Sequence, residues 1–147
     1  MTHKELVERA GRWLFNTKQL NPVFTEKGSQ STIEFPDAIG WNCHHSIIVE
    51  CKASFQDYLV DSNKPFRKWH ELGMGNRRYY MCEDGVISPN RLMGTAFGLL
   101  YCKGRIVKII KESEVFTPNL NAERLFLRSR ILNKQTGDVD EWEGFQK

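Results

Sequence analysis

The chain reads as a mixed α/β protein: a helix, three strands, a broken helix, then further strands and a closing helix. Three observations carry that expectation. Apolar residues recur at helical spacing near the start, as Leu6, Ala10, Trp13 and Leu14. Short β-branched and aromatic runs bounded by turn residues follow, at Asn21, Thr32 and Ser46. After Ser54 the apolar spacing returns to that of a helix before strand-like segments resume at Arg77, and such alternation is the mark of helices packed on a sheet.

Each element has a local reason. Thr2 is a natural N-cap with Glu5 three residues on, which predicts a helix to about Asn16. Asn21 to Glu26 reads as a first strand opened by Pro22, and Gly28-Ser29-Gln30-Ser31 as a turn. Thr32 to Trp41 and Ser46 to Ala53 read as a hairpin joined by Asn42-Cys43-His44-His45. Ser54 followed by Asp57 starts a helix over Phe55 to Val60, which Lys64-Pro65 interrupts before Phe66, Trp69 and Leu72 resume helical spacing.

Downstream of the turn Gly73-Met74-Gly75-Asn76, Arg77 to Glu83 reads as a strand, and Val86-Ile87-Ser88-Pro89 as a short turn or helix. Gly98 to Cys102 and Arg105 to Lys111 form a hairpin through Lys103-Gly104. Asn119 to about Lys134 is a terminal helix in which Leu120, Leu125, Leu127, Ile131 and Leu132 alternate with Arg124, Arg128, Arg130 and Lys134. Its basic residues either contact phosphate or edge a packed amphipathic element. Residues 1–135 are expected to form one domain, and the acidic stretch 136–147 to be mobile or docked through Trp142 and Phe145.

With 147 residues the chain is long enough for one real core and short for two. Its 40% hydrophobic and 27% charged residues are ordinary globular values. A net charge of +3 permits a nucleic-acid partner without requiring one. Basic residues do cluster after the hairpin, as Lys64, Arg67, Lys68, Arg77 and Arg78. Cys43, Cys51, Cys82 and Cys102 lack the CxxC spacing of a zinc site, so reduced thiols are expected, with Cys51 and Cys82 as small buried hydrophobes. Charges near the amino terminus argue against a secretion signal, and the apolar run Gly94 to Cys102 is about half of the ~20 residues a membrane span needs. The expectation is a cytoplasmic protein without a membrane partner.

The chemistry concentrates in Pro36-Asp37 and, thirteen residues after the aspartate, Glu50-Cys51-Lys52. Alternation along a strand sends Glu50 and Lys52 to one face and Val49, Cys51 and Ala53 to the other. Two acids that meet raise each other's pKa unless a cation neutralises them, and oxygen donors suit Mg²⁺ or Mn²⁺. Asp37 and Glu50 therefore read as metal ligands, with Lys52 as an ammonium able to orient water or stabilise charge on a phosphate. The plain alternative is an exposed charge pair on a solvated sheet face.

This pattern resembles the PD-(D/E)XK nuclease superfamily, whose motif places an aspartate, often after proline, on one strand and an acid-x-lysine on the next. Ile47-Ile48-Val49 before Glu50 and the helix start at Ser54 suit it, and the likeness runs from the first helix to about Lys111. The stretch through Lys68-Trp69-His70-Glu71-Leu72 and Tyr79-Tyr80-Met81 looks most like the MmcB-type proteins implicated in DNA repair. The resemblance implies a restriction-endonuclease-like αβββαβ core with helices flanking a mixed sheet. It also implies metal-dependent hydrolysis of DNA phosphodiester bonds, in repair or in phage and host DNA processing.

Catalytic roles would fall to Asp37, Glu50 and Lys52, with the Cys51 backbone carbonyl as a further ligand for Mg²⁺ or Mn²⁺. First-helix acids complete the metal site in several branches, so Glu5 and Glu8 are further candidates, or simply solvated helix charges. Gln56, Asp57, Asp61 and Lys64 border the active site or belong to a solvated helix. Lys64, Arg67, Lys68 and Arg77 are the expected DNA contacts, and Tyr79 and Tyr80 either stack on bases or fill the sheet. A homodimer or a protein partner is compatible with so small a domain. The alternative function is a nucleic-acid-binding or protein-binding module on the same fold, with little catalysis unless a partner is present.

Overall fold

The computed structural model describes residues 1–25 and 36–135. Its first helix, α1 (His3–Arg12), starts where Thr2 and Glu5 close a reciprocal capping box and runs on through a π turn, Trp13–Thr17. Six strands follow in chain order: β1 (Val23–Thr25), β2 (Ala38–Trp41), β3 (Ser46–Cys51), β4 (Arg77–Glu83), β5 (Gly98–Lys103) and β6 (Ile106–Lys111). They lie side by side in that same order. The pairs β1/β2, β2/β3 and β5/β6 are antiparallel, while β3/β4 and β4/β5 are parallel.

A parallel neighbour needs a crossover, and the helices supply it. Between β3 and β4 run α2 (Phe55–Ser62), α3 (Pro65–Lys68) and a 3₁₀ turn, His70–Leu72. Between β4 and β5 lies the short α4 (Pro89–Leu92), and α5 (Leu120–Gln135) closes the described chain. The expected order of elements is thus observed, in a mixed α/β fold with helices on both faces of the sheet. Thr32 to Phe35, the expected first half of the second strand, lie outside the described residues, as do residues 136–147. No described helix is long and apolar enough to cross a membrane.

Period-two alternation sorts each strand between two cores. On one face Leu6, Ala10, Trp13 and Leu14 of α1 pack against Ala38, Val49, Cys51, Tyr79, Met81 and Leu100. On the other, Tyr80, Cys82 and Leu99 meet Tyr58, Leu92, Phe97 and Phe116, while Ile39 and Ile48 meet Met74 and Phe126. The two tyrosines of β4 fill the sheet, each 2% exposed. Cys51, Cys82 and Cys102 are buried free thiols and Cys43 is exposed.

The broken helix expected after Ser54 is observed as α2, one turn of α3 and a 3₁₀ turn, with Trp69 and Leu72 exposed. One sequence expectation needs correction. In α5 the expected leucine stripe is not the packed face: Leu120, Leu125, Ile131 and Leu132 are exposed, and Ala122, Glu123, Phe126 and Arg130 are buried. Leucines spread around that helix cannot share one face, whereas Ala122, Phe126 and Arg130 recur every four residues.

Glu123 sets which face wins. One carboxylate oxygen accepts the Trp41 indole N–H at 2.9 Å, and the other accepts the Ser46 hydroxyl and the Gly75 amide, each at 2.8 Å. Gly75 holds φ +93°, and a Cβ there would press on the Arg77 carbonyl, so glycine is required for that amide to reach the carboxylate. Replacing Glu123 by Ala strands three donors in the interior, an expected loss of about 3 kcal/mol, with Glu123→Gln costing less. Urea unfolding at neutral pH checks this; a loss under roughly 1 kcal/mol, the size of an ordinary point substitution, would show that Glu123 does not anchor α5.

Candidate functional site

Strand β3 is buried along its whole length, so its alternation divides two interiors rather than core from solvent. Val49 and Cys51 face α1. Glu50 faces the other way, directly beside Tyr80 in the parallel register. The Lys52 amide continues the ladder by donating to the Met81 carbonyl at 2.9 Å, which keeps its side chain on the Glu50 face. Glu50 and Lys52 are 5% and 7% exposed, so the solvated charge pair is excluded.

Asp37 stands one residue before β2, where the pair Ala38 and Val49 ends the antiparallel register. Its carboxylate accepts the Cys51 amide at 2.7 Å, tying the aspartate to the strand that carries Glu50. The other oxygen lies 3.4 Å from Nε2 of His3, at the start of α1. Sequence reasoning passed over His3; its only signal is its place beside the Thr2 cap. Glu5 and Glu8 do not join this cluster. Glu5 is spent on the capping box, where hydrogen bonding to the Thr2 backbone holds its carboxyl below the usual range, and Glu8 pairs with Arg12 at 3.2 Å one turn on.

Asp61 is the strongest addition. It lies in the last turn of α2, 1% exposed, and not on a solvated helix face. The break at Lys64-Pro65 turns the chain back so that the Arg67 Nε donates to Asp61 at 2.7 Å. The Tyr80 hydroxyl donates to the same oxygen at 2.7 Å, and the Lys52 and Lys64 ammonium groups each lie 3.2 Å from the other oxygen. Arg67 also reaches Glu50 at 3.2 Å, while Lys52 stands 3.8 Å from Glu50.

The expected DNA contacts separate. Arg67 is 6% exposed and belongs to the interior cluster, drawn in by two carboxylates. Lys64 is half-exposed at the rim and Lys68 is exposed on α3. Arg77 is not brought to the site: register pairs it with Ile47, at the far end of the strands, and its guanidinium donates to the Ser113 carbonyl. Arg78, fully buried, instead donates to the carbonyls of His70, Gly73 and Gly75, holding the turn that follows α3.

The two central acids have opposite electrostatics. Burial first, and then the charge of Asp37, push the Glu50 carboxyl well above the usual range, which Arg67 and Lys52 only partly offset. Burial would also raise Asp61, but the Arg67 guanidinium, Lys52 and the Tyr80 hydroxyl hold it well below. Burial works against the Lys52 charge, yet Glu50, Asp61 and Asp37 together keep it above its usual value. The cluster thus sets the Lys52 and Arg67 cations among three acids: Asp61 well compensated, Glu50 poorly so, and Asp37 adding to the charge against Glu50. Among the described residues no three His, Cys, Asp or Glu side chains converge as a metal cage.

No family model and no curated protein matches the chain. A solved structure of a protein of unknown function from Silicibacter pomeroyi is similar, with a TM-score of 0.59 and 16% identity over 92% of each chain. That likeness is one of fold.

Opposite pKa shifts predict opposite effects on stability. A carboxyl raised on folding loses stability as pH climbs past its unfolded value, and a lowered one gains it. Glu50→Gln should therefore melt above wild type at pH 8, the gap closing as pH falls below the ordinary glutamate value of 4.5. Asp61→Asn should lose about 3 kcal/mol at pH 8 by leaving buried cations uncompensated, the loss shrinking as pH falls below the ordinary aspartate value of 3.8. Thermal melts across pH decide it; shifts of the same sign for both variants would refute this assignment of charge.

Proposed function

We propose that this chain is a metal-dependent nuclease hydrolysing DNA phosphodiester bonds, of the PD-(D/E)XK type that its motif resembles. The supporting observation is the convergence of Asp37, Glu50 and Lys52 at one end of β3, each under 10% exposed, with Glu50 kept energetically dissatisfied. Carboxylates strained by burial beside a like charge concentrate at sites of chemistry.

The donor set fits a hard divalent cation. Mg²⁺ typically takes only one or two protein carboxylates and keeps several waters, so it does not need a cage of three side chains. Asp37 and Glu50 would hold it, with the Cys51 carbonyl as a further oxygen, and the raised Glu50 carboxyl is the group a cation would relieve. The chemistry supplied by Mg²⁺ or Mn²⁺ there is Lewis acidity toward water and phosphoryl oxygens. Lys52 orients the attacking water and stabilises charge gathering on the phosphate. Asp61 positions Lys52 at 3.2 Å, and His3 borders Asp37 from α1. Lys64 at the rim and the exposed Lys68 of α3 contact the strand through phosphates, which makes binding weaken with salt.

One observation favours the second reading, a binding module with little catalysis. Arg67 and Lys52 already stand beside Glu50 as internal counter-ions, which lessens the need for a metal.

End-labelled single-stranded, duplex, flap and nicked DNA incubated with Mg²⁺ or Mn²⁺ separates the two. Cleavage is expected, abolished by EDTA and lowered at least about 100-fold by Lys52→Ala. Calorimetric Mn²⁺ binding should vanish in Asp37→Ala and Glu50→Ala. Salt-sensitive DNA binding without cleavage or metal uptake would replace the nuclease by the binding module.

A further inference from the structure

Arg67 and Tyr80 have a second side. Both line a cavity of about 420 Å³ between α2, the 3₁₀ turn after α3 and the loop that precedes β5. Its floor is buried and aromatic: Tyr58, Tyr80 and Phe97, with Leu92 beside them. The Tyr58 and Tyr80 rings meet edge-on at 5.0 Å, Tyr80 and Phe97 lie 5.4 Å apart, and the Arg67 guanidinium stands 5.8 Å from the Phe97 ring. Its mouth is exposed and polar, formed by His70, Gly94, Thr95 and Glu114. The contacts described above engage the Arg67 guanidinium and the Tyr80 hydroxyl, and the cavity is lined by none of the acids named there as ligands, but by Tyr58, Leu92 and Phe97.

Building on the nuclease reading, we infer that the cavity receives one unstacked nucleobase of a single-stranded substrate, adjacent to the phosphate handled at Glu50 and Lys52. Its volume falls within the range of small organic ligand sites. A buried aromatic floor beside a guanidinium suits the flat apolar body of a base. Arg67 supplies the continuity: its Nη2 is 3.2 Å from Glu50 while the same side chain walls the cavity, so base and phosphate sites are one residue apart. A base held in a duplex cannot enter a recess of this kind without leaving its stack, which ranks single strands, frayed ends and flaps above intact duplex.

The test needs no cleavage. In EDTA, fluorescence anisotropy follows wild-type protein binding a short labelled single strand, and a series in which one abasic residue moves along it. One abasic position should weaken binding about tenfold, the value of one base on an aromatic platform, and the other positions much less. Thr95→Trp, which fills the exposed mouth, and Ser62→Phe, which narrows it from α2, should weaken the intact strand by a similar factor and erase the dependence on abasic position. Circular dichroism melts verify that each variant is folded, and the wild-type scan stands without them.

Binding that is indifferent to abasic position, or folded variants that retain the wild-type dependence, would overturn the base cavity. If the same wild-type preparation still cuts single strands in Mn²⁺, only the cavity assignment falls. Failure both to bind and to cut any DNA removes the nuclease reading with it.

Discussion

The site face of this protein is organised by one buried carboxylate. Asp61 receives Arg67 from α3, Tyr80 from β4 and Lys52 from the end of β3, and itself belongs to α2. A charge taken out of water is tolerated only when partners replace its hydration. The docked position of helix α2 therefore depends on α3 turning back to present Arg67, and the turn after α3 is held in its place by Arg78. The network couples the crossover to the strands and, by the same contacts, fixes where Lys52 stands beside Glu50.

The two faces of the sheet differ in the same sense, one purely apolar and one carrying the charges. The α1 face is a continuous apolar core, with buried thiols and the edge-on pair Trp13 and Tyr79. The opposite face holds two separate apolar clusters, one under α2 and α4 and one under α5. The charged cluster lies in that second interior, at the end of β3. Apolar packing on both sides keeps the charges in low dielectric, where each is stronger and each unmatched one costs more. Asp61 is the better-compensated acid, while burial and the charge of Asp37 keep the Glu50 carboxyl raised despite Arg67 and Lys52 beside it.

Much of this was legible in the chain. The caps at Thr2 and Ser54, the break at Pro65, the alternation of Ser46 to Cys51 and the turn at Gly104 are local rules, and each appears where those rules put it. Three features were not legible. The leucines of α5 promised a buried stripe, but the face that packs is chosen by hydrogen bonds from Trp41, Ser46 and Gly75 to Glu123, residues up to 82 positions apart. Arg67 looked like a surface phosphate contact because nothing near it in sequence shows that Glu50 and Asp61 will close around it. Glu5 read both as the capping partner of Thr2 and as a candidate site acid; the structure keeps it in the cap, and it is His3, unmarked in the sequence, that reaches Asp37.

The chain by itself determined the order and type of the elements and the pairing of Glu50 with Lys52 on one face, because helix period, strand alternation and capping act over a few residues; Asp37, expected within a strand, stands one residue before β2. The tertiary structure alone decided that this face is buried, that Asp61, Arg67 and Tyr80 enclose it, and that a cavity adjoins it. Those outcomes depend on burial and on charges meeting across the sheet, and the cost of an unpaired charge is defined only once its distant partners are in place.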